Sequence, residues 1–171
     1  MTHGSDEDPA SAPCYAREFE SHVVGDEGVR AFDPDELGRR LALEMPDALV
    51  VSDRQGVIRV WNAGAERIFG IAAAEALGES LDIITPENLR ARHWSGYYET
   101  MRTGRTRYGE GDLLAVPALR KDGARISVQF SILPLTGADG TLEGVAAIMR
   151  DVTADFEERK ELRRQIANLK R

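Results

Sequence analysis

The sequence predicts an α+β domain, an antiparallel sheet with helices on one face. Three observations lead there. Two short β-rich runs, Ala48-Leu49-Val50-Val51-Ser52 and Val57-Ile58-Arg59-Val60-Trp61, are joined by the turn residues Asp53-Arg54-Gln55-Gly56. One longer helical stretch follows, with Leu89, His93, Tyr97 and Met101 spaced four apart along one face. Three more strand-like runs then come in succession, separated by Lys121-Asp122-Gly123 and Ala138-Asp139-Gly140. A hairpin, a block of helices and three consecutive strands make an antiparallel sheet covered on one side.

The elements follow in order. Residues 1–30 carry seven acids against two bases, so most of the formal charge of -7 sits there. The Ser-, Pro- and Asp-rich residues 1–13 should be disordered, and Tyr15, Phe19 and Val23 fit a short amphipathic helix. Residues 31–46 form a cap segment in which Asp35–Glu44 is helical, opened by acids and stopped by Pro46. After the first hairpin, Asn62 caps a short helix through Phe69, and Gly70 ends it. Residues 71–84 read as broken helical turns. Thr85 is the expected N-cap of the long helix, with Pro86 at its first position and Gly104 past its end. Residues 112–119 are the next strand, and Pro117 makes it an edge strand. Ile126, Val128, Phe130 and Ile132 alternate with polar residues in the following strand, and 142–150 is the last. Residues 153–171 form a helix with acids early, bases late, and Leu162, Ile166 and Leu169 at coiled-coil spacing.

Composition narrows the function. The chain of 171 residues holds 22 basic and 29 acidic side chains, which argues against general phosphate-backbone binding. A single cysteine, Cys14, rules out an internal disulfide and an all-cysteine metal site. No run of 18 apolar residues and no secretory signal is present, so a cytoplasmic location away from the membrane is expected. There is no phosphate-binding glycine loop, nucleophile elbow or His-Glu-x-x-His helix, and the expectation is a protein that is not an enzyme.

Several separated motifs carry a family resemblance. Ala48–Asp53 with Gly56-Val57-Ile58, Trp61–Gly70, Arg120-Lys121-Asp122-Gly123 and Met149-Arg150-Asp151-Val152-Thr153 stand in the order found in PAS domains. Residues about 43–153 resemble that family, with the domain proper at 47–152. The resemblance implies a five-stranded sheet in order 2-1-5-4-3, helices on one face, and a pocket between. It also implies sensing or dimerisation, with a homodimer or an unidentified downstream signalling protein as partner.

The run Leu89-Arg90-Ala91-Arg92-His93 resembles the proximal-histidine segment of haem-PAS sensors. That resemblance implies haem b, with His93 on the iron and Tyr97, Met101, Leu114 and Ile132 lining the site. In those sensors an arginine eight residues before the turn aspartate contacts bound oxygen, and here that position is Leu114; two residues earlier, at the axial methionine of one sensor type, stands Asp112. A haem here would have an apolar distal side, favouring CO, NO or redox responses over tight oxygen binding. The residues leave a second reading open, with His93 a polar rim residue and the occupant an unknown small molecule, or with no ligand and dimerisation as the role. Trp94, Tyr97 and Tyr98 can either stack on a planar ligand or pack as core. Asn62 reads as a cap, Glu66 and Arg67 as a solvated pair, and Arg92 as a polar candidate. A flavin photosensor needs a cysteine in its helix, and residues 15–171 contain none. His3, His22 and Cys14 belong to the leader.

Overall fold

A computed structural model describes residues 33–104 and 114–169. The expectations for the leader, including its helix, Cys14, His3 and His22, lie outside the described residues, as do the start of the third strand and Asp112. The chain divides into two units between Leu37 and Gly38. Of the first, only the opening of α1 (Pro34–Glu44) is described. Asp33 starts that helix, its Oδ1 accepting from Asp35 N at 2.9 Å and Glu36 N at 3.4 Å.

The second unit holds the sheet and the remaining helices. β1 (Ala48–Asp53) and β2 (Ile58–Trp61) form the hairpin. Asp53 builds its turn: Oδ1 accepts from Gln55 N and Val57 N, both at 3.0 Å, and its carbonyl accepts from Gly56 N at 2.8 Å. Helix α2 (Ala63–Phe69) runs from Asn62 to Gly70, whose φ of +69° closes it in the left-handed conformation. The broken turns expected over 71–84 are α3 (Ala73–Ala76) and a 3₁₀ turn at Leu81–Ile83. Helix α4 spans Glu87–Thr103. β3 (Leu114–Leu119), β4 (Arg125–Thr136) and β5 (Leu142–Asp151) complete a sheet in the order β2-β1-β5-β4-β3, and α5 (Thr153–Leu169) leaves from β5.

This is the α+β architecture and strand order that the sequence predicts, with Pro117 on the edge strand β3. Three expectations need correction. Thr85 does not cap α4: Pro86 holds the cap position, and the Thr85 hydroxyl donates back to Leu81 O at 2.8 Å, closing the 3₁₀ turn. Glu66 and Arg67 are not a pair: Glu66 Oε1 accepts from Ala73 N at 2.6 Å, and Arg67 donates to Pro46 O. β4 continues past Ile132 through Pro134 to Thr136. Among the described residues, β3 accompanies β4 as far as Phe130, and Pro134 lies beyond it, in the part of β4 paired with β5.

The inner face is apolar and in register. Val50, Ala147 and Ile132 lie in one row across β1, β5 and β4, and Ala48, Met149 and Phe130 in the next. Beneath the hairpin, Phe69 and Ile58 are fully buried, and the Trp61 ring packs 5.3 Å from Phe69. These side chains contribute about 2–3 kcal/mol each by removal from water. They leave a gap between α4 and the far half of the sheet.

Candidate functional site

That gap is a cavity of about 560 Å³. The sheet supplies Val50, Val145, Ala147, Met149, Phe130 and Ile132 to its floor, and α4 forms its roof with Leu89, His93 and Tyr97. The volume lies in the range of small-molecule and cofactor sites.

α4 is held to the rest of the domain by polar anchors. Trp94 Nε1 donates to Asp82 Oδ1 at 2.8 Å, and its ring lies on Gly56 of the hairpin turn. A Cβ at Gly56 would stand 2.3 Å from that ring, and the residue's φ of +78° also favours glycine. Arg90 donates to Asp82 O at 3.0 Å and Thr85 O at 3.2 Å. One turn further on, the Tyr97 hydroxyl donates to Asp53 O. Its hydrogen is thereby committed, so Ser52 Oγ is the donor in the 2.9 Å bond between the two hydroxyls. Burial pushes the Tyr97 phenol up, against the hydrogen bond from Ser52, which lowers it.

His93 faces the cavity from this fixed helix. Its ring is 5.0 Å from Trp94, edge-on, and 6.0 Å from Tyr97, centroid to centroid. Nδ1 is buried and, among the described residues, is the one buried side-chain polar atom without a hydrogen-bond partner. Burial holds the imidazole below its ordinary pKa of 6.5, opposed by the nearby negative charge of Asp82. The ring is therefore neutral at pH 7, which is the form that binds metals. Arg92 stands exposed at the cavity edge with no ion pair among the described residues.

The structure brings together His93, Tyr97 and Ile132. Met101 is buried in the core and is not among the cavity-lining residues, although its neighbour Thr100 is. Leu114 pairs opposite Phe130 in β3, but its side chain lies outside the described residues. Trp94 anchors the helix, and Tyr98, 54% exposed, stacks on Trp94 away from the lining. Asn62 is more than a cap. Its Oδ1 accepts from Ala65 N at 2.9 Å and Leu49 N at 2.8 Å, while Nδ2 donates to Asp47 O at 3.0 Å.

The sequence reading missed Ser52 and Gly56. A signal for Ser52 existed, since it continues the inward alternation Ala48, Val50 as the one polar member. Gly56 gave no sign of carrying Trp94 beyond its turn role.

These residues fit the group that the histidine segment implies. An iron porphyrin needs an apolar slot, an axial nitrogen and a cation for its carboxylates, and the cavity offers apolar walls, the neutral His93 imidazole and Arg92. Among the described residues no group of three or more His, Cys, Asp or Glu can hold a bare metal ion.

The comparisons with known proteins agree with this geometry. The family model for the PAS fold matches residues 44–155. The chain is 35% identical over 94 residues to the sensor protein FixL of Bradyrhizobium diazoefficiens, covering 55% of this chain and 18% of that protein. It is 25% identical over 126 residues to the oxygen sensor protein DosP of Escherichia coli, covering 74% and 15% respectively. The chain thus spans less than a fifth of these curated relatives. Among solved structures, a PAS domain from Colwellia psychrerythraea superposes with a TM-score of 0.62 at 23% identity, over 71% of this chain and 99% of that one. An RNA-binding light-oxygen-voltage receptor gives 0.62 at 21%, over 85% and 42%. With the strand order, the inward cavity and the match over residues 44–155, the chain belongs to the PAS-fold family.

Proposed function

We propose that this PAS domain is a cytoplasmic sensor module whose cavity takes haem b through His93. Its ligand or redox state is then relayed through α5 to a second copy of the chain or to a partner protein. One observation carries the reading: a neutral imidazole, with a buried nitrogen lacking any partner, faces an apolar cavity of about 560 Å³. Similarity to an oxygen sensor protein supports it. When bound, haem supplies reversible gas binding and one-electron chemistry. The protein's part is to orient the imidazole through the Trp94 and Tyr97 anchors, exclude water with the apolar floor, and place Arg92 at the rim.

The relay is short in sequence. Val145, Ala147 and Met149 line the cavity, and β5 ends two residues after Met149. Asp151 Oδ1 then accepts from Thr153 N at 2.9 Å, and Thr153 Oγ1 accepts from Ser127 N at 2.9 Å. A shift in β5 or β4 therefore reaches the first turn of α5. An occupant drives this only through different affinities for two arrangements of the junction.

Titration with hemin, followed by ultraviolet–visible spectra of wild type and His93→Ala, tests the proposal. A saturable Soret band that the variant loses or shifts is the expected result. No saturable uptake by wild type ends the haem reading, and native mass spectrometry for organic ligands is then the next measurement. If those also fail, a ligand-free dimerisation module remains, which the exposed Leu162 and Ile166 of α5 favour.

A further inference from the structure

We infer that Trp94 and Tyr98 form a one-electron path from the cavity to the surface, with Tyr98 as the site where oxidising equivalents leave the chain. The inference rests on the haem reading above and deepens it, naming hydroperoxides as the class of oxidant that calls on the path.

Three rings of α4 stand in series. His93 lines the cavity, and its ring centroid is 5.0 Å from that of Trp94. Trp94 in turn lies 5.6 Å from Tyr98, the two planes stacked at 25°. Residues 94 and 98 are one helical turn apart, which brings their rings to the same side of α4. Rings at these separations touch, so no gap interrupts the line. Tyr98 is 54% exposed and is not among the cavity-lining residues. The series therefore begins at the cavity wall and ends in solvent.

The surroundings of each ring set its role. An indole that loses an electron carries a positive charge until it is refilled. Trp94 Nε1 donates to Asp82 Oδ1 at 2.8 Å, which places a carboxylate beside that charge. A phenol that loses an electron gives up its proton and needs a group to take it. Tyr97 lacks a suitable one. It is buried, and its hydroxyl donates to the Asp53 carbonyl, which is not a base. Oxidation of Tyr97 would leave a charge in the interior. Tyr98 faces water, which accepts the proton.

The electrons balance. Reducing one hydrogen peroxide to two waters takes two electrons and two protons. Each Tyr98 that is oxidised supplies one electron, through Trp94, and one proton, to solvent, and becomes a neutral phenoxyl. Two such oxidations account for one peroxide. Phenoxyls on two chains then couple through a bond between ring carbons, giving dityrosine.

The full chain, loaded with hemin and mixed with one equivalent of hydrogen peroxide, tests the path. Freeze-quench electron paramagnetic resonance reads the radical, and spin trapping with tandem mass spectrometry locates it. Wild type is expected to show a tyrosyl signal and to carry the trap on Tyr98. Tyr98→Phe, a change at the surface, is expected to lose that signal and move the adduct to Trp94, whereas Tyr97→Phe keeps both. An unaltered signal in Tyr98→Phe overturns the inference. So does an adduct on Tyr97, Tyr15 or Tyr108 in place of Tyr98, or the absence of any protein radical in hemin-loaded wild type. No saturable hemin uptake by wild type would instead remove the haem reading on which the inference rests.

Discussion

Asn62 shows how one side chain can hold several segments together. It is 2% exposed and satisfies two backbone N–H groups and a carbonyl from β1, α2 and the entry to β1. Asn62→Ala strands those groups in the interior, and urea denaturation should show a loss of about 2–4 kcal/mol. His93 makes a second prediction at this scale. Its pKa is lowered in the folded state by burial, so the unfolded chain binds the proton more tightly. The folded protein is therefore favoured above the ordinary pKa of 6.5, and stability falls as pH drops through that value. Replacing His93 with Gln should flatten this decline. Denaturation midpoints of both proteins at pH 7.5 and pH 5.5 check it, and parallel declines would contradict it.

The element that decides the site is α4. Most of its anchors lie toward the hairpin and the 3₁₀ turn, through Trp94 on Gly56 and Asp82, Arg90 on Asp82 O, and Tyr97 on Ser52 and Asp53, while Asn88 at its start accepts from Arg125 of β4. The roof of the cavity is thus hung mainly from β1, its hairpin turn and the 3₁₀ turn. Tyr97→Phe removes the last anchor while keeping the ring in the core. It should destabilise the domain by about 1–2 kcal/mol, and amide exchange should quicken in the second half of α4 before it does in β5. Uniform protection would show that packing alone fixes the helix.

Among the described residues, the sheet and helices α2–α4 bury apolar side chains, whereas α5 buries none. Leu162 and Ile166 are 50% and 52% exposed on one stripe of that helix. In the proposed dimer, that stripe is covered by a second copy. Leu162→Glu should then leave the domain's unfolding free energy within about 0.5 kcal/mol, because the site is at the surface, and should lower the dimer fraction in light scattering. An unchanged mass distribution would remove α5 from the interface. No described helix is long and apolar enough to cross a membrane.

The sequence by itself determined the fold class, the strand order through its family resemblance, and the edge position of β3. The reasons are local: period-two alternation in β4, Asp-Gly turns, and a proline that a central ladder would reject. It also placed His93, Tyr97 and Ile132 on inward faces, since helical and strand periods fix which way a side chain points. Met101 shows the limit of a four-residue stripe, which says which face is buried but not where a cavity ends. Sequence alone misread Thr85, Glu66 and Arg67 because a polar side chain chooses among partners brought near by the chain's path. Only the tertiary structure decided that a cavity of about 560 Å³ exists, that Trp94 and Tyr97 secure its roof, and that His93 Nδ1 has no partner. Each of these depends on distances between segments far apart in sequence, which no local pattern encodes.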